Sequence, residues 1–129
     1  RRYSMLKDFP KASPKATLLE AVEILNRPHA PVLVVVDEKG RLVGTLNRHE
    51  LRKALIDDRD LKTPIEEVMN QNPVSAREDS EIEKLSEKAG GYLPILDNEN
   101  RVKYLFVSQQ RWFKGRVARN PKIEKLIVS

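Results

Sequence analysis

Asp37-Glu38-Lys39-Gly40-Arg41-Leu42-Val43 recurs sixty residues later as Asp97-Asn98-Glu99-Asn100-Arg101-Val102-Lys103. An apolar run precedes each copy (residues 32–36 and 93–96), and a second β-rich run follows each (42–46 and 102–107). A polar turn of this length between two β-rich runs reads as a hairpin. Upstream, Thr17-Leu18-Leu19-Glu20 aligns with Ser80-Glu81-Ile82-Glu83 at an offset of 63. Both fit the capping box, in which a hydroxyl and a carboxylate satisfy backbone N–H groups at a helix start. The three-residue slip falls between helix and strand, where a loop absorbs it. The chain is therefore a repeat of one supersecondary unit.

The first helix carries Leu18, Val22 and Leu25 on its apolar face, with Leu19, Ala21 and Ile24 alongside, and runs through Asn26. Its counterpart carries Ile82, Leu85 and Ala89 and is stopped by Gly90-Gly91. A second helix follows each hairpin. Asn47 caps one, with Glu50 at the reciprocal position and Leu51, Ala54 and Leu55 on its apolar face. Ser108 caps the other, which carries Trp112 and Phe113 before Gly115. A short extended piece leads into each unit, around Lys11-Ala12 and Val74-Ser75. Between the units, Thr63-Pro64 starts a short helix and Asn72-Pro73 ends the linker. Units of about 55 residues have marginal cores alone. The expected fold is thus α/β, with β-α-β-β-α units at 5–62 and 63–115 packed by pseudo-two-fold symmetry, sheets facing each other. Residues 116–129 form a basic tail or lead into a missing domain.

Composition narrows the function. Of 129 residues, 40% are hydrophobic and 33% charged, which suits a small core under a solvated surface. The absence of Cys excludes a disulfide scaffold, a thiolate zinc site and a Cys nucleophile, and fits a reducing cytoplasm. Two His residues make a His-rich metal site a poor reading. No apolar run approaches the ~20 residues a membrane span needs. The start at Arg1-Arg2-Tyr3, with neither initiator Met nor apolar leader, reads as a piece of a longer protein. The net charge of +5 lies entirely in 109–129, where six Lys/Arg face Glu124 alone. The body is neutral, so the overall charge says little about it. No Gly-rich phosphate loop and no Ser/His/Asp arrangement is present, and the carboxylates sit at caps and turns. An enzyme in its own right is the weakest reading on these grounds.

The ordered set resembles the cystathionine-β-synthase-type (CBS) domain, which occurs as tandem pairs called Bateman modules. The residues that carry it are Pro94-Ile95-Leu96-Asp97; Val34-Val35-Val36-Asp37-Glu38-Lys39-Gly40-Arg41-Leu42-Val43-Gly44; Asn47-Arg48-His49-Glu50-Leu51; and the linker Pro64-Ile65-Glu66-Glu67-Val68-Met69-Asn70-Gln71-Asn72-Pro73-Val74. The match spans about residues 5–115. The resemblance implies a cleft between repeats that takes an adenosine ligand (AMP, ADP or ATP). Its pattern is G-h-h-T-x-x-D, where the Thr and a helix start meet phosphate and the Asp holds the ribose. Helix N-termini do offer unpaired N–H groups to an anion, and a carboxylate does accept from a diol.

Repeat one reads Gly44-Thr45-Leu46-Asn47-Arg48-His49-Glu50, keeping the Gly and placing Asn47 and Glu50 where the pattern has Thr and Asp. Repeat two has Tyr104, Val107 and Gln110 at the Gly, Thr and Asp positions. Val cannot bond phosphate and Gln carries no charge, so one site per chain is expected, on the Asn47–Glu50 side. The implied ligand residues are Asn47, Arg48 and Glu50 for phosphate and ribose, with Ser13 and Ala30 at the adenine side. Each has a plainer reading: Asn47 and Glu50 as a helix cap, His29-Ala30-Pro31 as a turn into a strand, His49 as a surface residue. Asp57-Asp58-Arg59-Asp60 reads as a flexible acidic loop before it reads as a magnesium site.

The leading function is a regulatory module that binds an adenine nucleotide or related metabolite and controls an attached effector domain. The alternative is a structural or dimerisation domain with a degenerate ligand site. A third reading places Trp112 and Phe113, among basic residues, on single-stranded nucleic acid; packing in a core or a dimer contact is the commoner use. By the same resemblance the chain forms a homodimer through its helices. The linker and the Leu51-Arg52-Lys53-Ala54-Leu55 run look like pairs fused to sugar-nucleotide nucleotidyltransferases or sugar-phosphate isomerases. No metal and no resident cofactor is expected.

Overall fold

The computed structural model describes residues 3–28 and 30–108. The chain runs β1 (Ser4–Leu6), β2 (Lys11–Ala12), α1 (Leu18–Leu25), β3 (Leu33–Val36), β4 (Leu42–Leu46), α2 (Arg48–Ile56) and a 3-10 turn (Ile65–Glu67). It continues as β5 (Ala76–Arg77), α3 (Ile82–Lys88), β6 (Tyr92–Leu96) and β7 (Val102–Val107). The expected final helix with Trp112 and Phe113, and the basic tail, lie outside the described residues.

The two hairpins lie in separate sheets, ordered β2-β3-β4 and β1-β7-β6-β5. In each, a short strand pairs in parallel with the first hairpin strand: Lys11 opposite Val34, Ala76 opposite Ile95. Each hairpin is antiparallel and shifts register at the same place, between Val35 and Val36 and between Ile95 and Leu96. Such a bulge bends a strand and sharpens its twist, so its recurrence sixty residues apart marks one unit built twice.

Alternation along the strands divides the core. Leu33, Val35 and Leu46 face α1 and α2, where Leu18, Ala21, Leu25, Leu51 and Ala54 cover them. Leu93, Ile95 and Phe106 face α3 and its Ile82, Leu85 and Ala89. The opposite faces, Val32 and Val34 from one sheet and Leu105 and Val107 from the other, meet in a third cluster between the sheets. The pair is therefore a sandwich with helices outside, as the alternating pattern requires.

Helix starts repeat less well than strands. Thr17 caps α1 as a full capping box: Glu20 N–H donates to Thr17 Oγ1 at 3.2 Å and Thr17 N–H to Glu20 Oε1 at 3.3 Å. The expected twin at Ser80 and Glu83 is not formed. Helix α3 begins after Glu81 with no side-chain cap, and Ser80 Oγ accepts from Arg77 N–H at 3.1 Å instead. The hydroxyl closes the turn after β5 rather than the start of the helix. The C-terminal stop holds as expected, with Gly90 and Gly91 both at positive φ (84° and 107°).

Strand β1 is not apparent from the pattern of the sequence. It lies at the very start of repeat one yet pairs antiparallel with β7 of repeat two, Ser4 opposite Val107. The converse occurs in the linker: Asn70 N–H donates to the Thr45 carbonyl at 2.8 Å, and Thr45 N–H to the Asn70 carbonyl at 3.1 Å. Each lead-in thus closes the sheet of the other repeat.

Candidate functional site

Strand β4 delivers its C-terminal end to α2, and the turn between them is held by its own side chains. Asn47 is the N-cap: Glu50 N–H donates to Asn47 Oδ1 at 2.7 Å, and Asn47 N–H to Glu50 Oε1 at 2.9 Å. Arg48 reaches across to α1 and donates from Nη2 to the Leu25 carbonyl at 2.7 Å, satisfying the end of that helix. Asn47, Arg48 and Glu50 are thus brought together, and each is engaged. What remains is Asn47 Nδ2, Glu50 Oε2, the rest of the guanidinium and the first-turn N–H groups that a helix start leaves without partners. Asn47 and Glu50 are half-buried; Arg48 and His49 are exposed. This set can donate to an anion and accept from a hydroxyl.

Among the described residues no hydrogen bond links Ser13 or Ala30 to that turn. Ser13 is exposed, and its Oγ accepts from Lys15 N–H at 3.1 Å within the loop before α1. Ala30 is buried at the start of the run into β3. His29 lies outside the described residues. The acidic loop after α2 closes on itself: Asp57 ends α2, Asp58 takes positive φ, and Asp60 Oδ1 accepts from Lys62 N–H at 2.8 Å. Among the described residues no group of three His, Cys, Asp or Glu is arranged for a metal.

Gly44 has a reason beyond any motif. A Cβ there would lie 2.5 Å from Met69 Sδ and 2.8 Å from the Asn70 carbonyl, so the linker crosses β4 against bare backbone. At the matching position Tyr104 is half-buried, and Lys103 Nζ lies 5.7 Å from its ring centre. Val107, matching Asn47, is fully buried between the sheets and offers nothing to a ligand. Gln110 lies outside the described residues.

Neither of two clefts in the described residues is lined by the five candidates. One, about 520 Å³, lies between Tyr3, Phe106 and the start of α3. The other, about 370 Å³ and polar, lies between the turn at Asp37 and the linker at Asn72.

A solved CBS domain pair, that of protein MJ0100 in complex with 5′-methylthioadenosine and S-adenosyl-L-methionine, superposes with a TM-score of 0.70. It shares 28% identity over 84% of this chain and 91% of its own. The fold is that of a CBS domain pair. Residues 1–57 match the model of the CBS domain family. The cytosolic domain of the magnesium channel MgtE, solved with ATP, gives a TM-score of 0.69 at 29% identity, covering 85% of this chain and 46% of that one. Among curated proteins, the L-aspartate semialdehyde sulfurtransferase of Methanocaldococcus jannaschii is 32% identical over 106 residues, 78% of this chain. The inosine-5′-monophosphate dehydrogenase of the same organism is 32% identical over 102 residues. The chain spans 20% of the length of each of these two relatives. Among the described residues no helix is long and apolar enough to cross a membrane.

Proposed function

We propose that this CBS pair is a regulatory module that takes an adenosine-containing metabolite at the start of α2 and controls an attached effector domain. The observation that carries it is the contrast at one position of the fold. The β4–α2 turn presents Asn47, Arg48 and Glu50 at a helix start, where the equivalent of Asn47 in repeat two is the buried Val107. Asn47 Nδ2 and the first-turn N–H groups suit phosphate, Glu50 Oε2 suits a ribose hydroxyl, and Ala30 with Ser13 belongs to the adenine side of the proposal. Ligands seen with similar pairs, 5′-methylthioadenosine, S-adenosyl-L-methionine and ATP, widen the candidates beyond AMP and ADP and share the adenosine group.

Control requires that the ligand bind two states of the module unequally, since equal affinity shifts nothing. The repeats at 5–62 and 63–115, a homodimer and a cytoplasmic setting complete the proposal. A nucleotidyltransferase parent finds no support, since the curated relatives above are a sulfurtransferase and a dehydrogenase.

One observation favours a second reading, a structural pair with an unused site: the capping box and the Arg48–Leu25 bond already engage all three side chains. A thermal-shift series with AMP, ATP and S-adenosyl-L-methionine separates the two. A ligand present at a hundred times its Kd adds about 2.7 kcal/mol to stability, which reads as a shift of several degrees. No shift with any of them favours the structural reading.

A further inference from the structure

The two hairpin tips meet, and each is built the same way. Asp37 Oδ1 accepts from the N–H groups of Lys39 and Arg41, both at 2.9 Å, and its Oδ2 from Arg41 Nε at 2.7 Å. Asp97 Oδ1 accepts from Glu99 and Arg101 N–H at 2.8 and 3.0 Å, and its Oδ2 from Arg101 Nε at 2.9 Å. Each turn passes through the left-handed region at the same place, Gly40 at φ 81° and Asn100 at φ 67°. The carbonyls of those two residues then point to the other repeat. Leu42 N–H donates to the Asn100 carbonyl at 3.1 Å, and Val102 N–H to the Gly40 carbonyl at 3.0 Å, an antiparallel bridge centred on Arg41 and Arg101. Arg77 fixes the second turn further, donating to the Asp97 carbonyl and, at 2.8 Å, to Asn100 Oδ1.

Elsewhere the hairpins meet through Val32, Val34, Leu105 and Val107. Apolar packing is non-directional, whereas a backbone hydrogen bond weakens steeply off-axis. We infer that the twin Asp-Arg turns are one clasp, which fixes the two repeats to each other at this end. Each aspartate orders the carbonyl on which the opposite repeat depends. The inference stands whether or not the chain binds a nucleotide.

Residue-resolved amide hydrogen exchange on the whole chain tests it, with Asp37→Ala and Asp97→Ala. The clasp predicts a crossed pattern. Asp97→Ala should speed exchange at Leu42, in repeat one, by roughly ten-fold beyond any change at the most protected core amides. Asp37→Ala should do the same at Val102. Where an alanine variant does not fold, the asparagine variant of the same residue removes the charge but keeps an acceptor, and the crossed pattern should persist at smaller size. Effects confined to each variant's own turn would overturn the clasp, as would unprotected Leu42 and Val102 amides in the unaltered chain.

Discussion

The outer edges of β4 and β7 are the same place in the two repeats and are closed in different ways. β7 is paired along three residues by β1, and its Tyr104 keeps a full side chain packed toward the α3 cluster. β4 is instead crossed by the linker, which pairs with Thr45 through Asn70 and lies so close that Gly44 has no room for a side chain. A glycine at the family motif's first position can therefore be fixed by chain crossing, with no ligand involved. The repeats share a scaffold but not the chain crossing against its edge strand.

Gly44→Ala should have the largest effect of the substitutions at these edges. Met69 can swing aside, but Asn70 is tied to β4 by two hydrogen bonds, one of them to its carbonyl, which therefore cannot move freely. A loss of about 1–3 kcal/mol is expected on urea denaturation, the range of overpacked sites. A change below about 0.5 kcal/mol, the scale of an ordinary surface substitution, would show that the linker yields.

Helix starts give the next contrast. Thr17→Ala removes a working N-cap and should cost about 1 kcal/mol. Ser80→Ala removes a turn hydroxyl that caps no helix, and should stay within about 0.5 kcal/mol. Equal losses would mean that Ser80 caps α3 in solution after all.

The smallest effect is a shared pH dependence of the twin turns. Asp37 lies below the ordinary carboxyl value chiefly through the Arg41 N–H; partial desolvation opposes this, and the Arg41 guanidinium and Lys39 N–H add to it. At Asp97 desolvation is the largest single influence and pulls upward, yet the N–H groups of Arg101 and Glu99 and the Arg101 guanidinium together outweigh it. A lowered folded pKa gives stability that is present above the unfolded value and lost as pH falls through the folded one. Urea midpoints should therefore fall as pH drops from about 5 towards 2, less steeply in Asp37→Asn and Asp97→Asn. Unchanged slopes would show the turns' charges to be idle. Because both groups border water, screening keeps the effect small.

How much of this was legible follows from range. Both hairpins, the bulk of three helices and the Thr17 and Asn47 caps are set by neighbouring residues, so periodicity and capping chemistry reveal them. Ser80 misled because a hydroxyl three residues before an acid fits either a cap or a turn, and the Arg77 N–H decides between them. β1 and the Asn70 bridge were hidden because three residues and one residue carry no period. Yet Met5 and Pro10 match Met69 and Pro73 at nearly the repeat offset, a trace of the exchanged lead-ins. At the candidate site the residues were readable, but not that Arg48 would spend a nitrogen on the end of α1.

We propose that repeat one, through the start of α2, holds the ligand and that repeat two does not. Titration calorimetry of the chain, of Glu50→Ala and of Gln110→Ala with AMP and ATP tests it most directly, with folding of each variant verified by its thermal transition. A single site per chain is expected. Glu50→Ala should lose about ten- to a hundred-fold in affinity, from a hydrogen bond to a charged group worth ~1.5–3 kcal/mol, and Gln110→Ala should change little. Two equivalent sites, a larger loss from Gln110→Ala, or no binding by the unaltered chain would contradict it.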